Sequence, residues 1–337
     1  MQVAYIYSLA VIFADTLKNE QMRIIFLLIL TLLNYGCSKE TTSIIIQTTN
    51  TPRPTIGFNQ NWTFLPVLNN TMLKNIKSLK PEMIRYPGGT ITHSWDWVNG
   101  IKIGSSTIPH PIQDIKTMAD ATSAKFIFVV DIVNKTIEDQ ILMLNSIKNL
   151  GIPINYIELG NELYGQDNEY VTAFPTGTEY ALKATIWAIK LKEVFPNAKI
   201  AALLQCRNSN STNTRLNQWN GLVVSGTNSS VDAYTYHIYI PVGGNCKART
   251  NEFETVANAT NTSNKELWIT EYGNQNDKTD INYLPALDSL ANYIESYPKV
   301  TLVLNHLIVG DNKNKLTSDG ITFTSEGNLF LNRASKR

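Results

Sequence analysis

The chain has 337 residues, of which 43% are hydrophobic and 17% are charged. That is enough apolar material for a sizeable core, and a single domain of alternating strands and helices can reach this length. The formal net charge is only +1, which argues against a strong overall field that would recruit nucleic acid or another polyanion. We therefore expect no nucleic-acid partner and a neutral ligand or substrate.

The amino terminus has the pattern of an export signal, predicted over residues 1–37 with an upstream extension. Arg23 precedes an apolar run at residues 24–33, which is shorter than the roughly 20 residues of a membrane span but typical of a signal sequence. The run ends close to Cys37, a candidate lipidated residue. The alternatives are an ordinary signal peptide cleaved nearby, or a signal at residues 3–14. We expect export, as an outer-membrane or cell-surface lipoprotein or otherwise as a periplasmic or secreted protein.

A flexible linker is predicted at residues 38–54, because this stretch is rich in Ser and Thr and closes with Pro52 and Pro54. The folded domain is expected to cover residues 55–337. Contact with a membrane is expected only through the lipid anchor.

From residue 55 onward, strand-like and helix-like segments alternate, which is typical of parallel β-α-β units. Strands are predicted at residues 56–58, 83–86, 125–131, 154–160, 199–204, 231–240, 266–270 and 300–307, and helices at residues 69–79, 136–150 and 178–195. Eight parallel strands close a barrel. Residues 309–337 suffice for one loop and one helix. The sequence therefore predicts an α/β fold, a single (β/α)8 TIM barrel without an appended β-sandwich.

Two of the predicted strands end in a glutamate. The fourth strand runs into Asn161-Glu162, and the seventh ends at Glu271, 271 − 162 = 109 residues later. The carboxyl ends of barrel strands meet at one rim, where barrel enzymes hold their active sites. A carboxyl group that acts as acid/base and a carboxylate that acts as nucleophile are what a retaining glycosidase needs there. We therefore predict sugar cleavage, with Glu162 as acid/base and Glu271 as nucleophile.

Four further residues are predicted to support the two glutamates. Asn161 could hydrogen-bond the sugar 2-hydroxyl, and Arg85, at the end of the second strand, could keep Glu271 charged. His237 and Tyr239 occupy alternate positions of the sixth strand, so they point to one face together and could orient the same carboxylate. Taken singly, each has an ordinary alternative, such as a solvated loop residue, a structural ion pair or a core histidine. Their joint placement at strand ends favours a site.

The loop at residues 88–104 is the predicted sugar platform. Trp95 and Trp97 follow a strand end, where exposed indoles can stack on a sugar face, and Asp96 could accept a hydrogen bond from a sugar hydroxyl. One of the two tryptophans is expected to plug the barrel mouth instead. Tyr272, next to Glu271, is also predicted to contact the substrate.

No metal or cofactor is expected. The histidines have no spacing typical of a zinc site, and no serine-hydrolase elbow or glycine-rich phosphate loop is present in the sequence. The four are His93, His110, His237 and His306.

Four motifs together resemble glycoside hydrolase clan A. They are Arg85-Tyr-Pro-Gly-Gly89, His93-Ser-Trp-Asp-Trp-Val-Asn-Gly100, Gly160-Asn-Glu162 and Thr270-Glu271-Tyr-Gly273. The pattern is most similar to that of the family 51 α-L-arabinofuranosidases, and the resemblance covers roughly residues 55–306. It implies a carbohydrate substrate of plant or algal type. It also implies acid/base and nucleophile roles for Glu162 and Glu271, supported by Asn161, Arg85 and Tyr239.

The chain departs from family 51 at two points, which leaves the substrate open. The usual β-sandwich is not predicted in this sequence, and the eighth strand offers Asn305-His306 where many clan members present a tryptophan. A β-glucuronidase, β-xylosidase or agarase of the same clan is an alternative. A glycan-binding surface lipoprotein without catalytic activity is the alternative from another class. Cys206 and Cys246 follow neighbouring strands on the same rim, and a disulfide between them is an open possibility.

Overall fold

The structure is a computed structural model. It describes residues 53–206, 213–260, 264–310 and 313–337. The predicted signal segment, Cys37 and nearly all of the predicted linker lie outside these residues, so export, lipidation and the domain boundaries remain predictions. Within the described residues, no helix is both long enough and apolar enough to cross a membrane.

Eight parallel strands form a closed barrel in which each strand pairs with its neighbours in chain order and the first pairs with the last. The strands are β1 (Thr55–Asn59), β2 (Met83–Tyr86), β3 (Lys125–Val130), β4 (Tyr156–Leu159), β5 (Lys199–Leu203), β6 (Ala233–Ile240), β7 (Glu266–Asn274) and β8 (Val300–His306). The predicted (β/α)8 fold is confirmed, and every predicted strand is present within a few residues of its expected bounds.

Helices surround the barrel. They are α1 (Asn70–Ser78), α2 (Ile112–Thr122), α3 (Ile137–Asn149), α4 (Asn168–Ala173), α5 (Gly177–Val194), α6 (Thr214–Thr227), α7 (Cys246–Ala259), α8 (Tyr283–Ser296) and α9 (Ser325–Ser335). The predicted helices correspond to α1, α3 and α5. A hairpin of two short strands, Trp95–Asp96 and Ile101–Lys102, follows β2 and was not predicted.

The helix starts follow local sequence chemistry. Thr176 caps α5 in a capping box with Glu179, and the side chain of Thr136 accepts a hydrogen bond from the Asp139 amide at the start of α3. Such caps satisfy amides that have no partner inside the helix. They fix where each helix begins, and therefore how long the preceding rim loop is.

The barrel interior is apolar at the amino-terminal ends of the strands and polar at the carboxyl ends. A buried cluster fills the lower half with the side chains of Met83, Ile127, Ala201, Ala233, Trp268, Leu302 and Leu304. Above it, Arg85 and Glu158 point inward from β2 and β4, and both side chains are fully buried. The larger core packs between the strands and the helices. The polar upper half of the barrel therefore rests on a hydrophobic base.

A β-bulge in β7 changes which of its side chains face the barrel interior. Tyr236 of β6 pairs with Ile269, but the next residue, His237, pairs with Glu271, so Thr270 is an extra residue in β7. Successive side chains of a regular strand point to opposite faces. If Thr270 faces the barrel interior, regular pairing would therefore turn Glu271 toward the surrounding helices. With the bulge, Thr270 and Glu271 both make contacts inside the barrel, and Tyr272 packs in the outer core.

Cys206 and Cys246 are not joined by a disulfide. Cys206 is buried directly after β5, whereas Cys246 is the half-buried first residue of α7. Lying on the same rim is not enough to bridge two cysteines, because their Cα and Cβ atoms must also approach closely.

Gly57 in β1 allows β1 and β2 to approach closely. A Cβ atom at this position would lie 1.8 Å from the Met83 carbonyl oxygen, which belongs to the backbone and cannot rotate away. We expect Gly57→Ala to lower the free energy of unfolding by at least about 2 kcal/mol, measured by chemical denaturation.

Gly221 provides the matched control for this substitution. It lies exposed within α6 with open space around it, so Gly221→Ala should raise the free energy of unfolding by about 0.5–1 kcal/mol. Equal stability of the two variants would contradict the packing argument.

Candidate active site

Arg85 lies at the centre of the polar half of the barrel. Its Nε donates to Glu158 Oε2 at 2.6 Å, Nη1 donates to Glu271 Oε1 at 2.7 Å, and Nη2 donates to Asn161 Oδ1 at 2.9 Å. Nη1 also donates to Asn59 Oδ1 at 3.2 Å. Burial alone would lower the pKa of Arg85, but the charges of Glu158 and Glu271 outweigh burial and raise it. Arg85 of β2 thus links residues on or just after β1, β4 and β7.

Glu271 is held as a carboxylate. Tyr239 donates its hydroxyl to Oε2 at 2.8 Å, while Arg85 holds Oε1. Burial by itself would raise the pKa of Glu271, but the charges of His237 and Arg85 and the Tyr239 hydrogen bond lower it to about 2. Burial and the Glu271 charge raise the pKa of Tyr239 well above its usual value, so Tyr239 remains a neutral donor. Glu271 is therefore ionised at neutral pH.

Glu162 differs from Glu271 in exposure and in its contacts. Its side chain is 39% exposed, compared with 8% for Glu271. Its Oε1 lies 2.8 Å from His237 Nδ1 and accepts a longer hydrogen bond of 3.4 Å from the Tyr164 hydroxyl. The backbone of Glu162 has φ of +48°, a left-handed conformation that is uncommon for a residue with a side chain and concentrates at functional sites.

His237 lies between the two glutamates. Its Nδ1 is 2.8 Å from Glu162 Oε1 and 3.7 Å from Glu271 Oε2. Burial lowers its pKa, but the Glu271 charge and the hydrogen bond to Glu162 outweigh burial, so the pKa is raised. One oxygen of each glutamate and a ring nitrogen of His237 lie within 4.8 Å of one another. The spacing of this trio could also hold a metal ion, although Arg85 already occupies Oε1 of Glu271.

These groups open into a rim cavity of about 830 Å³. Glu162, Glu271, His237 and Tyr239 line it, together with Thr90, Tyr164, Tyr170, Gln205, His306 and Lys313. The structure thus brings together the predicted pair of glutamates and all four predicted supports. A cavity of this size lined by hydroxyl, amide and aromatic groups suits a polar ligand such as a sugar.

Three of the predicted substrate contacts have side chains that the structure places in the core and not in the rim cavity. Trp95 and Trp97 are buried, with their indole N–H groups donating to the Tyr86 hydroxyl at 2.8 Å and to Asp139 Oδ1 at 3.3 Å. Tyr272 is fully buried in the outer core, since the bulge turns it away from the interior. None of the three lines the rim cavity.

The fourth predicted contact, Asp96, is engaged within the hairpin turn. Its carboxylate accepts hydrogen bonds from the backbone amides of Val98 and Asn99 and from the Asn99 side chain. It stabilises the hairpin turn, and it does not line the rim cavity.

Sequence reasoning missed Glu158, Asn59 and His306. Glu158 accepts from Arg85 and, at 2.9 Å, from the Thr270 hydroxyl, and a charged residue inside the otherwise apolar fourth strand was the available signal. Asn59 and His306 are the last residues of β1 and β8, and Asn59 Nδ2 lies 2.9 Å from His306 Nδ1. Both would be found by applying the strand-end rule to every strand.

The turn at Pro87-Gly88-Gly89 brings the backbone close to the site. Gly88 has φ of +85°, and a Cβ atom there would lie 2.1 Å from the Gln60 carbonyl oxygen. Only glycine fits this position without strain. The turn places Gly89 beside the Glu271 carboxylate.

The low pKa of Glu271 predicts a pH-dependent contribution to folding stability. In the unfolded chain Glu271 titrates near its usual pKa of 4.5, whereas in the folded protein its pKa is about 2. Ionised Glu271 therefore contributes fully to the free energy of unfolding above about pH 4.5, and this contribution is lost as the pH falls toward 2. Between about pH 6 and about pH 3.5, the unfolding free energy of the wild type should fall relative to Glu271→Gln by about 1 kcal/mol. Denaturant titrations at several pH values measure this difference, and a pH-independent difference would contradict the assignment.

Comparison with known proteins indicates the class of enzyme. A family profile described as "Glycosyl hydrolase catalytic core" matches residues 184–329, which include His237, Tyr239 and Glu271. Comparison with curated protein sequences gives no match.

Solved glycosidase structures share the barrel. A family 51 α-L-arabinofuranosidase from Bifidobacterium longum is 14% identical with a TM-score of 0.68, over 84% of this chain and 73% of that one. An α-L-arabinofuranosidase from Thermotoga maritima is 14% identical with a TM-score of 0.59, over 80% and 67%. A fungal β-1,4-galactanase is 15% identical with a TM-score of 0.55, over 82% and 99%. The matched profile of glycosyl hydrolase catalytic cores indicates that this chain is a glycoside hydrolase, and its barrel has a fold similar to that of the family 51 arabinofuranosidases.

Proposed function

We propose that the protein is a retaining glycosidase that works by double displacement, with Glu162 as acid/base and Glu271 as nucleophile. The observation that carries this proposal is the separation of the two carboxylates, since an oxygen of each lies within 4.8 Å of the other at the rim. Retaining enzymes hold their carboxyl groups about 5–5.5 Å apart, whereas inverting enzymes leave about 6.5–9.5 Å for a water molecule.

Glu271 is suited to attack the anomeric carbon. Its charge is stabilised by Arg85 and by the Tyr239 hydroxyl, so it is ionised and oriented before substrate binds. In the first step its oxygen forms a bond to the anomeric carbon as the bond to the leaving oxygen breaks. The charge of Glu271 is neutralised in the covalent intermediate and restored when water releases the sugar.

Glu162 is suited to transfer the proton. Its contacts within the described residues use Oε1, which leaves Oε2 as the oxygen that can carry a proton toward the leaving group. In the second step the same group accepts a proton from the attacking water. His237, which contacts Oε1, would hold the carboxyl group in position through both steps.

A purely glycan-binding role explains this arrangement poorly. A buried carboxylate loses solvation, and Glu271 retains its charge only because Arg85, Tyr239 and His237 surround it. A neutral glycan could be bound by uncharged hydrogen-bonding groups without that cost. The arrangement favours catalysis.

For the substrate, we propose an α-L-arabinofuranoside in a polysaccharide or oligosaccharide of plant or algal type. The motif resemblance and the fold shared with arabinofuranosidases support this choice. Barrel neighbours also include a β-glucuronidase and β-1,4-galactanases, so another clan A activity is the alternative. We also propose that the protein is exported and anchored through Cys37, on the basis of the amino-terminal sequence pattern.

A panel of aryl glycosides tests the substrate and the mechanism together. We expect release of the aryl group from α-L-arabinofuranoside, and NMR of the first product should show that the anomeric configuration is retained. Hydrolysis of only another sugar in the panel would correct the substrate, while inverted product would overturn the double displacement.

The two glutamates should respond differently to amide substitution. Glu271→Gln should abolish turnover of every substrate, because an amide cannot attack the anomeric carbon. Glu162→Gln should lose about 10²–10⁴-fold in kcat/KM on a substrate with a poor leaving group and far less on an activated dinitrophenyl glycoside. Steady-state kinetics on the two substrates measure the contrast.

Glu138→Gln is the matched control. Glu138 lies on α3, and its exposed side chain contacts Lys190. Its substitution should leave kcat/KM unchanged on both substrates. Activity of Glu271→Gln equal to that of this control would refute the assignment of the nucleophile.

A further inference from the structure

A positively charged groove of about 940 Å³ lies at the amino-terminal end of the barrel. One acidic side chain, that of Glu82, lines the groove. Five exposed basic residues line it, namely Arg53, Lys77, Lys80, Lys125 and Arg337. We refer to these five residues as the basic face. It concentrates positive charge on one side of a chain whose formal net charge is only +1.

Most of this charge is not neutralised within the groove. Glu82 pairs with Arg53 and also accepts a hydrogen bond from the Ile56 amide at 3.0 Å. Lys80 Nζ donates to the Ala334 carbonyl at 3.0 Å, and Arg337 Nη2 donates to the Leu79 carbonyl at 3.2 Å. These carbonyl contacts hold the side chains in place without cancelling their charge. Lys77, Lys80 and Lys125 therefore remain without an acidic partner in the groove lining, while Arg53 and Arg337 share the charge of Glu82.

The basic face is opposite the catalytic rim. Thr55, Glu82 and Lys125 lie at or just before the first residues of β1, β2 and β3, whereas the catalytic glutamates lie at the carboxyl ends of strands. Four or five strand residues at about 3.3 Å each place the two ends roughly 15 Å apart. A surface that contacted the basic face would leave the rim cavity open.

The basic face is also where the predicted linker joins the barrel. Arg53 belongs to the predicted linker, residues 38–54, and lines the groove. The predicted lipidation site, Cys37, precedes Arg53 by 53 − 37 = 16 residues. An anchored protein would thus have its basic face close, along the chain, to its attachment point.

We propose that the basic face docks the barrel on an anionic phospholipid surface. Basic clusters beside a membrane anchor bind acidic headgroups, and a single acyl chain needs such a second signal for stable attachment. Docking in this way would orient the catalytic rim away from the membrane, toward soluble glycans. This inference goes beyond the proposed glycosidase activity and does not depend on it.

Flotation of the full chain with vesicles tests the proposal. One set of vesicles contains phosphatidylcholine alone, and the other contains one third phosphatidylglycerol. We expect the partition coefficient at low salt to be at least about tenfold higher on the acidic vesicles, since several basic residues near such a surface each add to the attraction. The difference should disappear at about 1 M salt, where the Debye length is about 3 Å. Insertion of the apolar amino-terminal segment into the vesicles would give the same binding to both lipid compositions at either salt concentration, so it can be told apart from docking by the basic face.

Charge reversal locates the docking surface. Lys77→Glu combined with Lys125→Glu should remove the preference for acidic vesicles while leaving kcat/KM unchanged. The matched control reverses Lys102 and Lys247, which are exposed and lie in the β-hairpin and the first turn of α7. This control should keep the preference. Thermal melts of both variants verify that they fold.

Three outcomes would overturn the proposal. Equal binding of the wild type to both vesicles would exclude electrostatic docking. An equal loss in the control variant would show that overall charge, and not the basic face, is responsible. Binding of soluble polyphosphate by the basic face, without any preference between the vesicles, would assign the groove to a soluble polyanion.

Discussion

The active site depends on one buried cation. Arg85 is enclosed within the barrel and divides its donors among Glu158, Glu271 and the amide oxygens of Asn161 and Asn59. Removing one partner of such a network leaves an uncompensated buried charge, which is costly. The position and ionisation of Glu271 and the orientation of Asn161 therefore depend on the same guanidinium group, which lies above an apolar cluster.

The barrel could be predicted from the sequence because its strands are continuous apolar runs separated by helices. The placement of Glu162, Glu271 and Arg85 close to one another could be predicted because each lies at or near the carboxyl end of a predicted strand. The tryptophans could not, because nothing local distinguishes an exposed indole at Trp95 from one that is buried and hydrogen-bonded. The facing of Tyr272 could not be predicted either, since it depends on pairing between β6 and β7. Local patterns specify elements, and tertiary pairing decides where side chains point.

The segment after β8 shows how the chain supports a rim without a tryptophan at the end of that strand. Lys315 is fully buried, donates to the His306 carbonyl at 3.1 Å, and pairs with Glu326 of α9 at 2.6 Å. Gln60 donates to the Val309 carbonyl and accepts from the Val309 amide. The backbone at His306 and just beyond it is thus held by Lys315 on one side and by Gln60 on the other.

The extra residue in β7 separates the strand into two independent parts. Before Thr270, Trp268 faces the barrel interior and Ile269 faces the helices, and both pack in the core. After Thr270 the alternation is shifted by one residue, so that Glu271 faces the interior and Tyr272 faces the helices. Either part can therefore change its pattern of large and small residues without affecting the other. Exchange of rim segments between barrels of this type must preserve this irregular pairing between β6 and β7. If Thr270 instead took a regular place in the pairing, Glu271 would face the surrounding helices, in a barrel that still closes.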